Sequence, residues 1–165
     1  MTFFPSREET LVYPFSAERA EALLFNCTKD PELEKEEIEV VGKEYLFNGI
    51  VKDGKYRVSV IIKHPQNFIP FIEGEIVKTN LGCIIHCKYR LFFSTRVLLG
   101  FWSGLTLGLG ILYLFIHPQI THAIFAFVIG IGNYIIAYSN FKMHQKRSRR
   151  VLLSVFKEED DLNIA

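Results

Sequence analysis

Two apolar stretches decide the fold: VLLGFWSGLTLGLGILYLFI at Val97–Ile116 and ITHAIFAFVIGIGNYIIAY at Ile120–Tyr138. Both lie within 45 consecutive residues, 97–141, that include no Asp, Glu, Lys or Arg. A bilayer core about 30 Å thick needs roughly 20 apolar residues of helix. The stretches therefore predict a transmembrane hairpin with spans at 97–116 and 120–138. The alternative is a buried helical pair in a soluble core, but such helices normally carry a polar face and neither stretch has one.

The flanking residues predict how this hairpin is oriented. His117-Pro118-Gln119 joins the spans, and a proline, which lacks an N–H, predicts a helix break there. Lys and Arg flank both outer ends of the hairpin and are absent from its turn. Because basic flanks stay on the cytoplasmic side, we expect a multi-pass protein of the inner (plasma) membrane with both termini cytoplasmic. No N-terminal secretory signal is recognisable, and three sparse cysteines are typical of a reducing compartment.

Small residues recur at four-residue spacing on both spans, which places each set on one helix face. The predicted helix-packing residues are Gly100, Gly104 and Gly108 on the first span, and Ala126 and Gly130 on the second. Small side chains let two helix backbones approach closely inside a membrane. The rows predict either packing of the two spans against each other or contact between copies in a homo-oligomer.

The polar residues within the spans indicate what the hairpin does not do. Ser, Thr, Asn and His occur there, but no carboxylate or paired charge. Proton relays and ion pathways usually need such groups within the membrane. The sequence therefore argues against a pump or an ion-coupled transporter.

A basic run follows the second span and opens the segment 142–165. Its candidate anionic-lipid contacts are Lys142, Lys146, Arg147, Arg149 and Arg150. Basic clusters beside a membrane bind anionic headgroups, although they also set topology without any further role. The next apolar residues, Val151, Leu152, Val155 and Phe156, predict a short C-terminal helix. That helix would dock on the preceding domain or lie at the membrane interface.

Residues 1–96 predict a cytosolic α+β domain, one helix on an antiparallel β-meander of about four strands. Ser16 is a suitable N-cap for a helix from Ala17 to Cys27. The four strands are expected at 45–51, 56–63, 71–78 and 83–92, with a short edge strand at 11–15. Asp53-Gly54 between two alternating runs is a strong hairpin-turn signal.

Several short motifs in this domain carry a resemblance. They are Phe47-Asn48-Gly49, the strand at 56–60, Pro70-Phe71-Ile72-Glu73-Gly74-Glu75-Ile76, and Gly82-Cys83 before the double span. The pattern F-x-G, then P-x-I-x-G-x-I, resembles a loose group of small uncharacterised bacterial two-span membrane proteins. The resemblance implies this architecture only, with no activity and no functional residues.

Candidate chemistry in the domain is sparse. Alternation along a strand places Cys83 and Cys87 on one face and His86 on the other, so the three cannot converge on a metal. We therefore expect core cysteines. Glu73 and Glu75 share a strand face and are expected to be solvent-facing, as is His144 in the basic run. No catalytic, cofactor-binding or metal-binding residue is predicted, and no cofactor.

Three hypotheses for function follow. The first is a non-enzymatic, membrane-anchored binding or scaffold module. The second is an accessory subunit of a larger transport or envelope-assembly complex. The third is a membrane-bound enzyme acting on lipid through Glu73, Glu75 or His86. The expected partners are the lipid bilayer and either a second copy or a membrane-complex subunit; a nucleic-acid partner is not expected.

Overall fold

A computed structural model describes residues 3–29, 45–62, 68–116 and 119–163. It shows a mixed α+β architecture with six strands and three helices in these ranges. In chain order the elements are β1 (Ser6–Tyr13), α1 (Ala17–Asn26), β2 (Thr28–Lys29), β3 (Phe47–Lys52), β4 (Lys55–Val60), β5 (Pro70–Thr79), β6 (Gly82–Leu91), α2 (Phe93–Phe115) and α3 (Ile120–Asn163).

The strands form one sheet in the order β1-β6-β5-β4-β3-β2. Strands β3 to β6 are the predicted antiparallel meander. The prediction of about four strands was too low, because β1 pairs antiparallel with β6 and β2 pairs parallel with β3. The edge strand β1 begins at Ser6 rather than Leu11, since its charged residues Glu8 and Glu9 find basic partners on β6 and α3. A two-residue strand such as β2 carries no detectable periodicity.

The β3–β4 turn forms as predicted at Asp53 and Gly54. Both residues have positive φ, 53° and 71°, which a two-residue type I′ turn requires and which Asp-Gly adopts readily. The Gly54 N–H also donates to Glu21 Oε1 on α1 at 3.1 Å. The turn is therefore tied to the helix that covers the sheet.

One face of the sheet, the inner face, is covered by α1 and by the second half of α3. Helix α1 begins at its predicted cap, where the Ser16 hydroxyl accepts from the Arg19 N–H at 3.2 Å. It buries Ala20 and Leu24 against the sheet and ends at Asn26, with Cys27 as its C-cap. The other face, the outer face, carries the polar side of the strands.

Helix α3 is the largest departure from the sequence prediction. It runs unbroken over 44 residues, about 66 Å at 1.5 Å per residue, so the predicted short C-terminal helix is not a separate element. The reason is that the chain has no glycine or proline after Gly132, so nothing interrupts the helix. Of the two predicted positions, the structure shows docking on the sheet, because Leu152, Val155 and Phe156 join the hydrophobic core.

Helices α2 and α3 pack as a hairpin, and both are long and apolar enough to cross a membrane by length and composition. Only 17% of the apolar window of each helix is buried within the protein. Helix α2 begins at Phe93, with only Phe92 between it and the end of β6, so the helix starts before the predicted span at Val97. Of the predicted turn, His117 and Pro118 lie outside the described residues.

Candidate functional site

A band of polar residues lies between α3 and the inner face of the sheet, and we call it the polar seam. Its members on the sheet are Glu9, Tyr56, Cys87 and Tyr89, and its members on α3 are His144, Gln145, Ser148 and Arg149. On α3 the buried positions 141, 144, 145, 148, 152, 155 and 156 follow helical spacing. Polar residues occupy the middle of this stripe, and apolar residues occupy both ends.

An ion pair joins α3 to the sheet edge within the seam. Arg149 Nε lies 2.8 Å from both carboxylate oxygens of Glu9 on β1. The hydrogen bond that Arg149 donates to the Glu9 carboxylate holds the pKa of Arg149 above its usual value. The Glu9 side chain is only 12% exposed, so water screens this pair less than a surface pair. The Arg149 side chain therefore links α3 to the sheet of the same chain.

The centre of the seam depends on the absence of a side chain at Gly74. The Tyr56 hydroxyl lies 2.9 Å from the His86 carbonyl oxygen and 3.0 Å from Cys87 Sγ. A Cβ at Gly74 would lie 1.8 Å from that carbonyl oxygen and 2.7 Å from the Tyr56 hydroxyl. Burial raises the pKa of the Cys87 thiol to about 11 and raises the pKa of Tyr56. Both groups therefore keep their protons at neutral pH.

Two further seam residues place polar atoms in the interior without a partner among the described residues. They are the hydroxyl of Tyr89 and Nε2 of Gln145, in side chains that are 0% and 1% exposed. An unmade hydrogen bond of this kind costs about 1–3 kcal/mol. Burial, with Cys87 and Glu9 nearby, raises the pKa of Tyr89. The seam thus contains polar groups that a purely apolar interface would not need.

His144 is buried in the seam, and the expectation of a solvated histidine was wrong. The sequence-based view treated the basic run as a solvated segment, whereas the continuous helix turns this position toward the sheet. Burial first and the Arg147 charge second lower the pKa of His144. The imidazole is therefore neutral at physiological pH.

The chemistry of the seam is that of a docking interface. It holds one ion pair and several neutral donors, and its thiol and phenols are protonated, so none is an activated nucleophile. No three His, Cys, Asp or Glu side chains lie close enough to hold a metal ion in the described ranges. A polar layer of this kind fixes how α3 sits on the sheet.

The strand residues considered as candidate site residues lie on the sheet faces that the alternation of side chains along a strand predicted. Cys83 and Cys87 are buried core residues, which confirms that prediction. His86 is on the outer face, where Nδ1 lies 3.2 Å from the Thr10 hydroxyl. Glu73, Glu75 and His86 line one outer-face cleft of about 350 Å³. Glu73 ion-pairs with Arg90 there at 2.6 Å, so it has a structural partner.

The contact between α2 and α3 uses the predicted row of the second span but not that of the first. A Cβ at Gly110 would lie 2.6 Å from the Phe127 ring, and one at Gly130 would lie 2.6 Å from Thr106 Oγ1. Outside its own helix, a Cβ at Gly104 or Gly108 would meet no atom of the described residues within 4 Å, and a Cβ at Gly100 would lie 3.8 Å from the Phe4 ring. Of the predicted set, Gly130 and the buried Ala126 lie inside the protein. The prediction that α2 packs on α3 through Gly104 and Gly108 is therefore wrong. The buried face of α2 is formed instead by Leu99, Thr106 and Gly110.

Alanine at Gly110 is expected to destabilise the hairpin by about 1 kcal/mol through overpacking, since only a movable ring must shift. The matched control is Gly104→Ala, which has open space around it and gains helix propensity. Unfolding of each purified variant in detergent, followed by circular dichroism, measures the difference. A loss of stability in G104A alone would place the helix contact on the other face.

Four residues of the basic run, Lys142, Lys146, Arg147 and Arg150, are exposed. They lie on the side of α3 that faces away from the sheet, since the buried positions of the same helix face the core. Because a helix rises 1.5 Å per residue, they lie between about 6 Å and about 18 Å beyond Tyr138 along the helix axis. The exposed basic residues are therefore spread along the helix and do not form a compact cluster at the end of the predicted span.

Comparison of the chain with protein-family models, with curated proteins and with solved structures found no match. The resemblance to small bacterial two-span proteins therefore stays a prediction. Sequence reasoning missed Glu9, Tyr89, Gln145 and Ser148 as members of one site. The available signal was the apolar spacing on either side of His144, which continues in phase only when α3 is read as one helix.

Proposed function

We propose that the chain is a two-pass integral membrane protein that holds a sheet domain as a non-enzymatic binding or scaffold module at the membrane surface. The observation that carries this proposal is the continuity of α3 from the apolar hairpin into the core of the sheet domain. A soluble core helix would bury its apolar residues, but most of the apolar window of α2 and of α3 faces outward. The natural cover for that surface is lipid.

The connections between sheet and hairpin support a rigid scaffold. One residue, Phe92, separates β6 from α2. The Tyr134 hydroxyl on α3 donates to the Phe3 carbonyl oxygen at 2.8 Å, and the Phe3 and Tyr134 rings lie 5.6 Å apart. The polar seam adds a third link. A domain held at three places presents its outer face in a fixed direction to a partner.

The outward glycine face of α2 favours a second candidate, an accessory subunit of a larger membrane complex. Gly104 and Gly108 lie in open space on the first span, where a helix of another subunit or a second copy would approach closely. In this case the hairpin contributes an assembly surface in addition to the anchor. Crosslinking from cysteine introduced at Gly104, but not at Gly132, would support it.

The proposed location is the inner membrane with both termini in the cytoplasm, because basic residues flank the outer ends of the hairpin. The protein is expected to stay in the membrane pellet after alkaline carbonate extraction. A fluorescent protein fused after Ala165 should fold and fluoresce, whereas alkaline phosphatase at that position should be inactive. Phosphatase fused after Gln119 should be active. Release by carbonate would overturn membrane insertion, and the reverse reporter pattern would overturn the orientation.

A further inference from the structure

A groove of about 540 Å³ on the outer face of the sheet lies at the end where the chain enters the hairpin. Its lining includes Asn48 and Ser59, which pair across β3 and β4, and Phe92, the residue before α2. If the hairpin spans a bilayer, as proposed above, this end of the sheet faces the headgroups. The groove is on the opposite face of the sheet from α3 and its basic run.

Arg57 supplies a positioned cation in this groove. Its guanidinium stacks 4.5 Å from the centre of the Phe71 ring, and that ring packs 5.4 Å from the Phe92 ring. A cation–π contact of this kind holds the guanidinium over the ring. Arg57 is therefore held in place while its side chain remains exposed.

The acidic residue that faces Arg57 is already engaged. Arg57 pairs in register with Glu73 on β5, but the Glu73 carboxylate lies 2.6 Å from Arg90. Among the described residues no carboxylate lies within ion-pair distance of Arg57. Glu73 therefore neutralises Arg90 and not Arg57, so the groove has a local positive charge with the hydroxyl of Ser59 and the amide of Asn48 nearby.

The rest of the groove is apolar and continues toward the hairpin. Ile61 and Phe92 are exposed at the end of the groove nearest the hairpin, and the residue after Phe92, Phe93, is 71% exposed. This surface runs into the outward apolar side of α2. A ligand that matches both parts has an anionic phosphate group beside Arg57 and an apolar chain along Phe92 and Phe93.

We propose that this groove binds one anionic phospholipid from the surrounding bilayer, with its phosphate on Arg57. The inference rests on the proposed membrane insertion and names a ligand for the outer face. It differs from headgroup contact by the basic run, whose exposed members lie on α3 beyond the other face of the sheet.

Native mass spectrometry of the full-length protein in mild detergent tests the proposal, with phosphatidylglycerol, phosphatidylcholine of the same chains, and water-soluble glycerol phosphate as the probes. Wild type is expected to retain phosphatidylglycerol in preference to the other two. Arg57→Gln should weaken that retention about tenfold, which corresponds to one charge-assisted hydrogen bond. Arg57→Lys should fall between them because it keeps the charge and loses the planar stack.

The matched control is Lys78→Gln, which removes one exposed positive charge at the end of β5 far from Phe71 and the groove and should leave retention unchanged. Lys146→Gln is measured alongside it as the comparison for the basic run. Circular dichroism shows that each variant is folded. Equal retention of both phospholipids by wild type, or equal retention by wild type and R57Q, would overturn the groove site. Loss with K146Q alone would move the contact to the basic run. Failure of the carbonate test would instead remove the membrane proposal itself.

Discussion

A proline at Met143 is expected to release the second half of α3 from the sheet. Met143 is 58% exposed, and it lies after the predicted second span, on the outward side of α3 between the buried Phe141 and His144. Its side chain therefore contributes little, whereas a proline ring removes the bond from its N–H to the carbonyl of Ser139 and clashes with that carbonyl. The expected cost is about 3 kcal/mol.

Trypsin provides a direct readout, because the basic run contains five cleavage sites within the helix. When cleavage follows local opening, a loss of 3 kcal/mol corresponds to roughly 100-fold faster cutting. Met143→Ala is the control, since it keeps the backbone hydrogen bond and removes the same exposed side chain. Equal cutting of M143P and wild type would show that α3 does not need to be continuous for its end to dock.

The continuity of α3 decides which functions the protein supports. A flexible linker would let the sheet domain search for partners away from the membrane. An unbroken helix docked through a polar and apolar stripe instead holds the domain against the hairpin. The surfaces left for other molecules are then the outer face of the sheet, the outward side of α2 and the exposed basic residues of α3. The proposals assign the first of these to a lipid and the second to a partner subunit.

The elements read correctly from the sequence are those set by local rules. A charge-free apolar stretch long enough for two helices, an Asp-Gly turn and a Ser N-cap each depend on a few neighbouring residues. The alternation along β6 was sufficient to separate Cys83 and Cys87 from His86. These local features predicted the helical hairpin, the meander and the placement of the two cysteines and His86 on opposite faces of the sheet.

The elements that were missed depend on distant residues. The first half of β1 is too polar to read as a strand, and its partners Lys88 and Arg149 lie far along the chain. His144 and Gln145 read as part of a solvated basic segment until α3 is placed across the sheet. The four-residue spacing of the glycine rows defines a helix face but does not say whether that face meets the other helix of the hairpin or a neighbouring subunit.

The ion pair between Glu9 and Arg149 is expected to contribute more than any surface pair in the domain. Replacing Glu9 by alanine leaves the Arg149 charge partly buried without its acceptor. Breaking a fully buried pair costs several kcal/mol, and the partial exposure of Arg149 reduces the expected loss to about 2 kcal/mol. The control is Glu8→Ala, which breaks the exposed pair with Lys88 one residue earlier and should change nothing measurable.

A double-mutant cycle separates the pair from its surroundings. Glu9→Ala, Arg149→Ala and the double variant are unfolded in detergent and followed by circular dichroism. If the two side chains stabilise the protein through each other, the double variant should lose at least about 1 kcal/mol less than the sum of the single losses. Additive losses would show that Arg149 holds α3 on the sheet through its packing alone. The polar seam would then stabilise the docked helix without the charge pair, and the remaining polar groups, Tyr89 and Gln145, would be the residues to test next.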